Sequence, residues 1–398
     1  MTVPPAALHR GLALVAPGQP LGERLRRGLA LPRAARADAA RGREAVAGIR
    51  GGGERVLAVF GDKPLDPTAD SASHRLGGLL RIAIGDGWAV SFFSTRERRW
   101  FAVDDALRLS PSDRPAIVRV AWVVRPEAAA VVVPALSALE PRPRIVYDTM
   151  DLHSLRLERE SGVTGSRGLA LQARVMRSLE AQAVAAADVA VAITDDEAPL
   201  VRALSPGTDV VVLPNVHEPR PDDAPPLSAR SGLLFVGSFT HTPNVDALDV
   251  LEREVMPRLW RERPELELAV AGRGRKRATA DERVRLLGFV DDLDALADRS
   301  VALVAPLRFG AGLKGKIGYA LARGLPVVTT AVGAEGFAGA GGMVVVADGD
   351  WDALAARTLE LLADPDHWTR VAASGIELTR RAYAPEALAP RLREILGA

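Results

Sequence analysis

Short apolar runs of strand length alternate with helix-period segments along this chain in two successive series, and this alternation limits its fold more than any other feature. In the first series RVLAVF at 55–60 reads as a buried strand ending in a polar loop, followed by a helical pattern at 73–85 and a second strand at 88–93. Further strands are expected at 116–124, 144–147, 189–193 and 210–213, with helical segments between several of them. The texture then changes to PNVHEPRPDDAPP at 214–226, a proline-rich polar connection. The alternation restarts with GLLFV at 232–236, a helix expected over 244–261, and strands at 266–270, 301–306 and 326–330. Helical patterns over 350–363 and 366–381 close the chain. Alternating strands and helices build parallel sheets covered on both faces, so the fold class is α/β with two doubly wound halves. A ligand cleft is expected between them, at the carboxyl ends of the strands.

Composition removes several classes of function. A length of 398 residues with 48% hydrophobic content suits two domains with full cores, and a net charge of +1 implies neither nucleic acid nor a strongly anionic partner. No cysteine is present, which excludes disulfides and thiolate chemistry and suits the cytoplasm. The apolar run at 11–16 is too short to span a bilayer. Charge is unevenly spread, because residues 1–50 hold nine arginines against Glu23, Asp38 and Glu44. Leu25, Leu29 and Leu31 interleave with four of them, so this segment is expected to be a solvated or partner-packed tail, with peripheral contact to an acidic membrane as the second option.

The segment RFGAGLKGKI at 308–317 lies between an expected strand and an expected helix, and holds Lys314 and Lys316, two of only four lysines. Glycines at a helix N-terminus present backbone N–H groups and a partial positive charge to an anion. Three phosphate patterns fit. Gly310, Gly312 and Gly315 satisfy the dinucleotide spacing with Glu335 twenty residues on, but Glu335 falls several residues past the strand end where a ribose-binding acid belongs. Gly310 to Lys316 also satisfies the P-loop spacing, but Ile317 stands where a hydroxyl must hold magnesium. A nucleotide-sugar diphosphate site needs glycines and cations without a metal.

Other positions carry candidate chemistry beside an ordinary structural explanation. Gly237 and Ser238 end the strand at 232–236, where a tight turn exposes N–H groups, while Thr242 or Asn244 could cap the helix that follows. YDTMDLH at 147–153 brings Asp151 and His153 together just past a strand. That pair suits proton transfer or hydrogen bonds to sugar hydroxyls, although Asp151 could equally cap a helix and one histidine makes a weak metal site. Asp348 and Asp350 have the spacing of a metal-binding carboxylate pair, but a helix cap by Asp350 is the simpler expectation, as it is for the acids at 291–294. Asp70, Ser71, Ser73 and Arg75 at the first strand-to-helix junction could line the cleft or cap the helix.

Taken together, LFVGSFTHTPNVDA at 234–247, GFVDDL at 288–293, APLRFGAGLKGK at 305–316 and GLPVVTTAVGAEG at 324–336 resemble the family 4-like group of GT-B glycosyltransferases. YDTMDLH, TDDE at 194–197 and LPN at 213–215 extend the resemblance upstream, so it covers residues 55–395. It implies GT-B architecture, two Rossmann-like domains with an interdomain cleft, and expected boundaries as follows: an Arg-rich extension at 1–52, an acceptor domain at 53–218, a linker at 219–231, a donor domain at 232–375, and a C-terminal helix at 376–398 that packs back on the first domain. The activity implied is sugar transfer from a nucleotide-diphosphate donor to a glycan, lipid-linked or other acceptor, with retained configuration, no essential metal and no cofactor beyond the donor. Lys314, Asp151 and His153 would be catalytic. Gly237, Ser238, Arg308, Gly310, Gly312, Leu313, Lys316, Tyr319 and Glu335 would bind the donor, and Asp70, Ser71 and Arg75 would face the acceptor. Many members carry two glutamates spaced E-x7-E, for which this chain has Ala311 and Tyr319, and Thr240 to Asn244 replaces their usual Arg/Lys pair. Those departures support a second possibility, a non-catalytic module that binds nucleotide, sugar or partner. An NAD-dependent oxidoreductase is weaker, having no glycine fingerprint at its first strand. Surface polysaccharide or glycoconjugate synthesis is expected, in the cytoplasm or at the inner membrane face.

Overall fold

The computed structural model describes residues 37–397 except 67–70, 221–223, 275–278 and 280. The chain divides into two compact units, Met1–Pro214 with Ala389–Ala398, and Asn215–Leu388.

The first unit is built on β1 (Arg50–Gly51), β2 (Val56–Gly61), β3 (Ala89–Ser94), β4 (Arg99–Val103), β5 (Leu109–Ser112), β6 (Ile117–Val118), β7 (Val120–Val124), β8 (Arg144–Asp148), β9 (Val189–Ala192) and β10 (Asp209–Val212). Its main sheet has the order β10-β9-β8-β7-β2-β3-β4-β5. The strands from β10 to β3 run parallel, and β4 and β5 complete the edge as an antiparallel hairpin. β2, β7, β8 and β9 are almost wholly buried, as expected of strands covered on both faces. Because β3 lies on one side of β2 and β7 on the other, strand order reverses between β2 and β7. Asp62 and Arg125 follow those two strands.

The second unit is built on β11 (Leu233–Val236), β12 (Leu268–Ala271), β13 (Val284–Gly288), β14 (Ala302–Ala305), β15 (Val327–Thr330) and β16 (Met343–Val346), all parallel, in the order β13-β12-β11-β14-β15-β16. Order reverses between β11 and β14. Gly237 follows the first of these strands and the Arg308–Lys314 segment the second. In open α/β sheets ligands bind outside the carboxyl ends of the strands at such reversals.

Three expectations about boundaries change. Residues 37–52 are not an extension: a helix at 37–46 and β1 pack into the first unit, with Ala45, Val46 and Ile49 in its core and Gly51 paired to Val118. Of the expected extension, residues 1–36, with most of the basic run, lie outside the described residues. The supposed linker at 219–231 is held by the second unit, where the Arg220 N–H donates to Ala322 O and the Arg230 guanidinium to the carbonyls of Pro225, Ala297 and Ser300. Finally, residues 376–382 complete the helix Pro365–Ala382 of the second unit, and the chain joins the first unit only from Ala389, within the helix Pro385–Leu396. There Arg393 pairs with Asp86 at 2.8 Å, the Arg144 Nε–H donates to Ile395 O, and Leu392, Ile395 and Leu396 are buried.

The helix expected over 244–261 is also interrupted. Thr242–Val250 and Met256–Glu262 are separated by a π-helical turn, Leu251–Val255. Pro257 has no N–H for the carbonyl four residues back, and the wider turn absorbs the mismatch.

Candidate active site

In the first unit, β8 ends at Asp148 and the chain turns through Met150, held at φ 61°, a left-handed conformation costly for methionine. Asp148 explains how the turn is kept. One of its carboxylate oxygens accepts from the Met150 N–H at 3.1 Å, and the other from Trp122 Nε1 at 3.1 Å and Arg75 Nη1 at 2.6 Å. Arg75 also donates to Leu213 O at 2.7 Å and lies 3.1 Å from the Met150 sulfur. Only 1% of Arg75 is exposed, so it does not present itself to an acceptor; it locks the turn from beneath. Ser71 is exposed in the first turn of the helix Ser71–Gly85, and Asp70 lies outside the described residues.

The turn delivers Asp151 and His153. His153 Nε2 stands 3.0 Å from Asp151 Oδ1 and its Nδ1 3.5 Å from Glu127 Oε1, while Arg156 Nε approaches Asp151 Oδ2 at 3.1 Å. Asp151 therefore caps no helix; the helix His153–Thr164 has Leu152 at its N-cap and no side-chain bond there. Burial would lower the His153 pKa, but the Asp151 and Glu127 carboxylates outweigh it and raise it to about 10. For Asp151, burial acts upward, yet His153 and Arg156 hold it far below the usual carboxylate range. The two carboxylates beside His153 favour its imidazolium form, and that cation with Arg156 favours the Asp151 carboxylate. That environment favours His153 as a hydrogen-bond donor to a ligand.

The sign of the pH dependence follows. A histidine whose pKa rises on folding adds stability that is complete below its unfolded pKa, about 6.5, and is lost as pH climbs through 10. Lys316, lowered on folding, acts oppositely over 7 to 10.5. Wild type minus His153→Gln isolates the first effect: in urea unfolding, the stability gap between them should shrink from pH 6.5 to 10. A constant gap would show that the Asp151–His153 pair is not linked to folding.

In the second unit the chain leaves β14 through Leu307 and Arg308 and reaches the helix Gly315–Ala322 with Lys314 at its N-cap. Gly312 has φ 67°, where a side chain would strain the turn, and the N–H groups of Ile317 and Gly318 turn back to Lys314 O. Lys314 Nζ is 3.1 Å from Glu335 Oε2 and 9% exposed. Glu335, too far along for a dinucleotide ribose, thus partners the lysine instead. Lys316 turns to the end of β11: its amine bonds Asn244 Oδ1 and lies 4.6 Å from the Phe235 ring centre. Burial, with the neighbouring Lys314 charge, lowers its pKa to about 7. Asn244 caps no helix; its Nδ2 donates to Ser238 O at 2.8 Å, and a Cβ on Gly237 would meet the Asn244 side chain at 2.7 Å. The glycine turn after β11, Asn244 and Lys316 therefore form one constellation, which sequence alone does not reveal.

The remaining donor candidates are placed less alike. Ser238 is partly exposed and shares a hydrogen bond with Thr240. Arg308 pairs with Asp246, Nε to Oδ2 at 2.9 Å, and so is already neutralised. Gly310 lies beside the Lys314 stem, and Leu313 is buried with its carbonyl accepting from Asn215 Nδ2 at 3.3 Å. Tyr319 donates to Asp294 Oδ1 at 2.6 Å, an acid that also pairs with Arg323. Burial and that carboxylate push the Tyr319 pKa up. The other acidic motifs are structural: Asp292 caps Ala295 and Asp350 caps Ala353, while Asp348 accepts from the Val332 N–H. Among the described residues no group of three or more His, Cys, Asp or Glu side chains could hold a metal, and no helix is long and apolar enough to cross a membrane.

Two doubly wound units, one with a cationic glycine turn at its strand-order reversal, define an α/β protein with two Rossmann-like domains. Residues 230–364 match the family described as glycosyl transferases group 1, and no curated protein matches the chain. Among solved structures, sucrose-phosphate synthase from Thermosynechococcus elongatus is similar with a TM-score of 0.66, 16% identity, 86% of this chain covered and 98% of that one. HepE from Anabaena in complex with UDP and glucose is similar at a TM-score of 0.62 and 13% identity, covering 86% and 100%. WaaG, a glycosyltransferase involved in lipopolysaccharide biosynthesis, is similar at 0.58 and 15%, again covering 86% and 100%. These identities speak for the fold alone. The chain has the GT-B fold, and a segment of its second unit matches the group 1 model.

Proposed function

We propose that the chain moves a sugar from a nucleoside-diphosphate donor to a glycan, a lipid-linked or another acceptor, as a family 4-like, retaining, metal-independent enzyme of polysaccharide or glycoconjugate synthesis in the cytoplasm. The observation that carries this is Lys314 at the N-cap of Gly315–Ala322, behind the left-handed Gly312 and at the strand-order reversal of the second sheet. HepE solved with UDP-glucose favours the same donor class.

When the bond between the sugar C1 and the diphosphate oxygen breaks, negative charge gathers on the leaving phosphate. The Lys314 ammonium and the N–H groups opening its helix are suited to stabilise that charge, with Lys316 as a second cation. That supply of positive charge is the support for a metal-independent reaction. Asp151, kept anionic by His153 and Arg156, accepts a hydrogen bond from a sugar hydroxyl, and His153 donates one. The departing diphosphate takes the proton of the acceptor hydroxyl, as the carboxylates around His153 favour its protonated form. The Tyr319–Asp294 pair offers a carboxylate to the donor's ribose where the family's glutamate is absent. Residues 1–36 would supply any peripheral membrane contact.

A thermal-shift panel of nucleotides, nucleotide sugars and NAD(P) tests the donor class. A ligand at a hundred times its Kd adds about 2.7 kcal/mol of stability. Nucleoside diphosphates and their sugars are expected to stabilise the protein and NAD is not; no shift with any nucleotide sinks the donor site. Ala311 and the engaged Tyr319 favour one alternative, a binding module without turnover. Donor hydrolysis or transfer by a protein that binds the donor rules that out.

A further inference from the structure

The second unit holds a cavity of about 800 Å³ whose wall includes no residue of the Arg308–Lys314 segment. Gly232, Glu267 and Val301 lie on that wall, just ahead of β11, β12 and β14, so the cavity opens at the amino ends of these strands. Gly237 and Lys314 lie past the carboxyl ends of β11 and β14. Strands of four residues hold the two ends about 13 Å apart. A ligand in the cavity is therefore distinct from a donor at the Lys314 turn.

The charges on the wall do not balance. Arg230, Arg263, Arg285 and Arg299 face only two acids, Glu265 and Glu267. Arg285 lies 3.1 Å from Glu267 and Arg263 3.8 Å from Glu265, so both acids are taken by exposed arginines. The Arg299 side chain makes no hydrogen bond or ion pair among the described residues. Arg230 is 7% exposed, and among the described residues no carboxylate contacts it. Its Nε and Nη1 are held by carbonyls, and its Nη2 is covered and bonded to nothing. Asp298, whose charge acts on it, is bonded to Arg220. Burial pulls the Arg230 pKa down, as for a cation short of counter-charge. Buried charges are ordinarily paired, and a buried donor left unbonded calls for an explanation. Fixed by three carbonyls and by the Trp368 ring 5.0 Å away, this guanidinium supplies a constant positive field to the cavity beside it.

We propose that the cavity binds a phosphate monoester with an apolar organic body. Such an ester carries a charge of about −1.5 to −2 at neutral pH, which matches the two arginines in excess. The planar fork of Arg299 grips the phosphate bidentately, joined by that of Arg263, which Glu265 holds only loosely, while Arg230 adds its field. Leu266, Leu287 and Leu296 also line the wall, and Leu287 is 37% exposed, so an apolar body has surface to cover there. This site does not rest on the transferase function proposed above.

Phenyl phosphate, inorganic phosphate, benzoate and phenol are the probes, titrated calorimetrically into the whole protein with UDP in excess to fill the Lys314 turn. Phenyl phosphate should bind about tenfold or more tighter than each of the others, since it alone brings a doubly charged group and an apolar ring together. Arg299→Gln and Arg263→Gln should each weaken it about tenfold or more. Both side chains are exposed, so the melting temperature and the UDP affinity of these variants should match wild type. Lys314→Ala should leave phenyl phosphate affinity unchanged. Absence of saturable binding, or unchanged affinity in either arginine variant, overturns the proposal, as does inorganic phosphate or benzoate binding as tightly as phenyl phosphate. Failure of UDP to bind while the arginine variants still lose phenyl phosphate would bring down the donor site and leave this one standing.

Discussion

Arg75→Met is expected to destabilise the first unit by about 3–5 kcal/mol, because it leaves the Asp148 carboxylate buried without its cation. In a domain of this size that corresponds to a fall in melting temperature of roughly 6–20 °C. The loss should exceed that from Arg393→Ala, whose partner Asp86 is reached by solvent, by several kcal/mol. Arg75→Met combined with Asp148→Asn should recover part of it, since the neutral amide no longer needs a counter-charge, though its single oxygen can serve only one of the Met150 and Trp122 N–H donors. Urea denaturation of the three proteins decides the matter. A single variant within 1 kcal/mol of wild type would mean that the Arg75–Asp148 pair does not hold the turn. The same variants connect stability to function, because Asp148 fixes the left-handed Met150 and thereby the direction in which Asp151 and His153 leave β8.

The second large effect concerns binding. Lys314→Ala is expected to weaken nucleoside diphosphate affinity by about 10–150-fold while the parent nucleoside binds nearly as before, since one charged hydrogen bond contributes about 1.5–3 kcal/mol. Glu335→Gln separates charge from placement. It keeps a hydrogen-bond acceptor for the Lys314 amine but removes the competing carboxylate, so diphosphate affinity should rise or hold rather than fall. Titration of both variants with diphosphate and nucleoside gives the answer. Equal weakening of the two ligands by Lys314→Ala would show that the lysine supports the loop and not the phosphate.

Much of the fold could be read from the residues because buried parallel strands announce themselves. Apolar runs near β2, β3, β8, β9, β10, β11, β12, β14 and β15 lie within a residue or two of their expected places, the single strand expected at 116–124 divides into β6 and β7, and the Trp351–Ala363 and Pro365–Ala382 helices begin at caps that Asp350 and Asp364 provide. Two edge strands, β13 and β5, were silent. β13 exposes four of its five residues, and β5 contains Pro111 and two serines, so neither carries an apolar period. Edge pairing is decided by which neighbour offers free backbone groups, and that is a property of the assembled sheet.

The candidate sites divide in the same way. Glycine spacing, a lysine at a helix start and an Asp-x-His loop are local patterns, and the sequence by itself determined the α/β class, the doubly wound order of events along the chain, and the anion-ready character of the Gly312–Lys314 turn. Only the tertiary structure decided what each charge meets: Arg75 turned inward to Asp148, Glu335 beside Lys314, Lys316 across to Asn244, and Asp62 beside Arg125. The physical reason is range. Helix caps and left-handed turns involve residues within a few positions of one another, whereas these charges meet partners 21 to 73 positions away, chosen by how the elements pack and, for the buried ones, by the cost of leaving a charge without a counterpart.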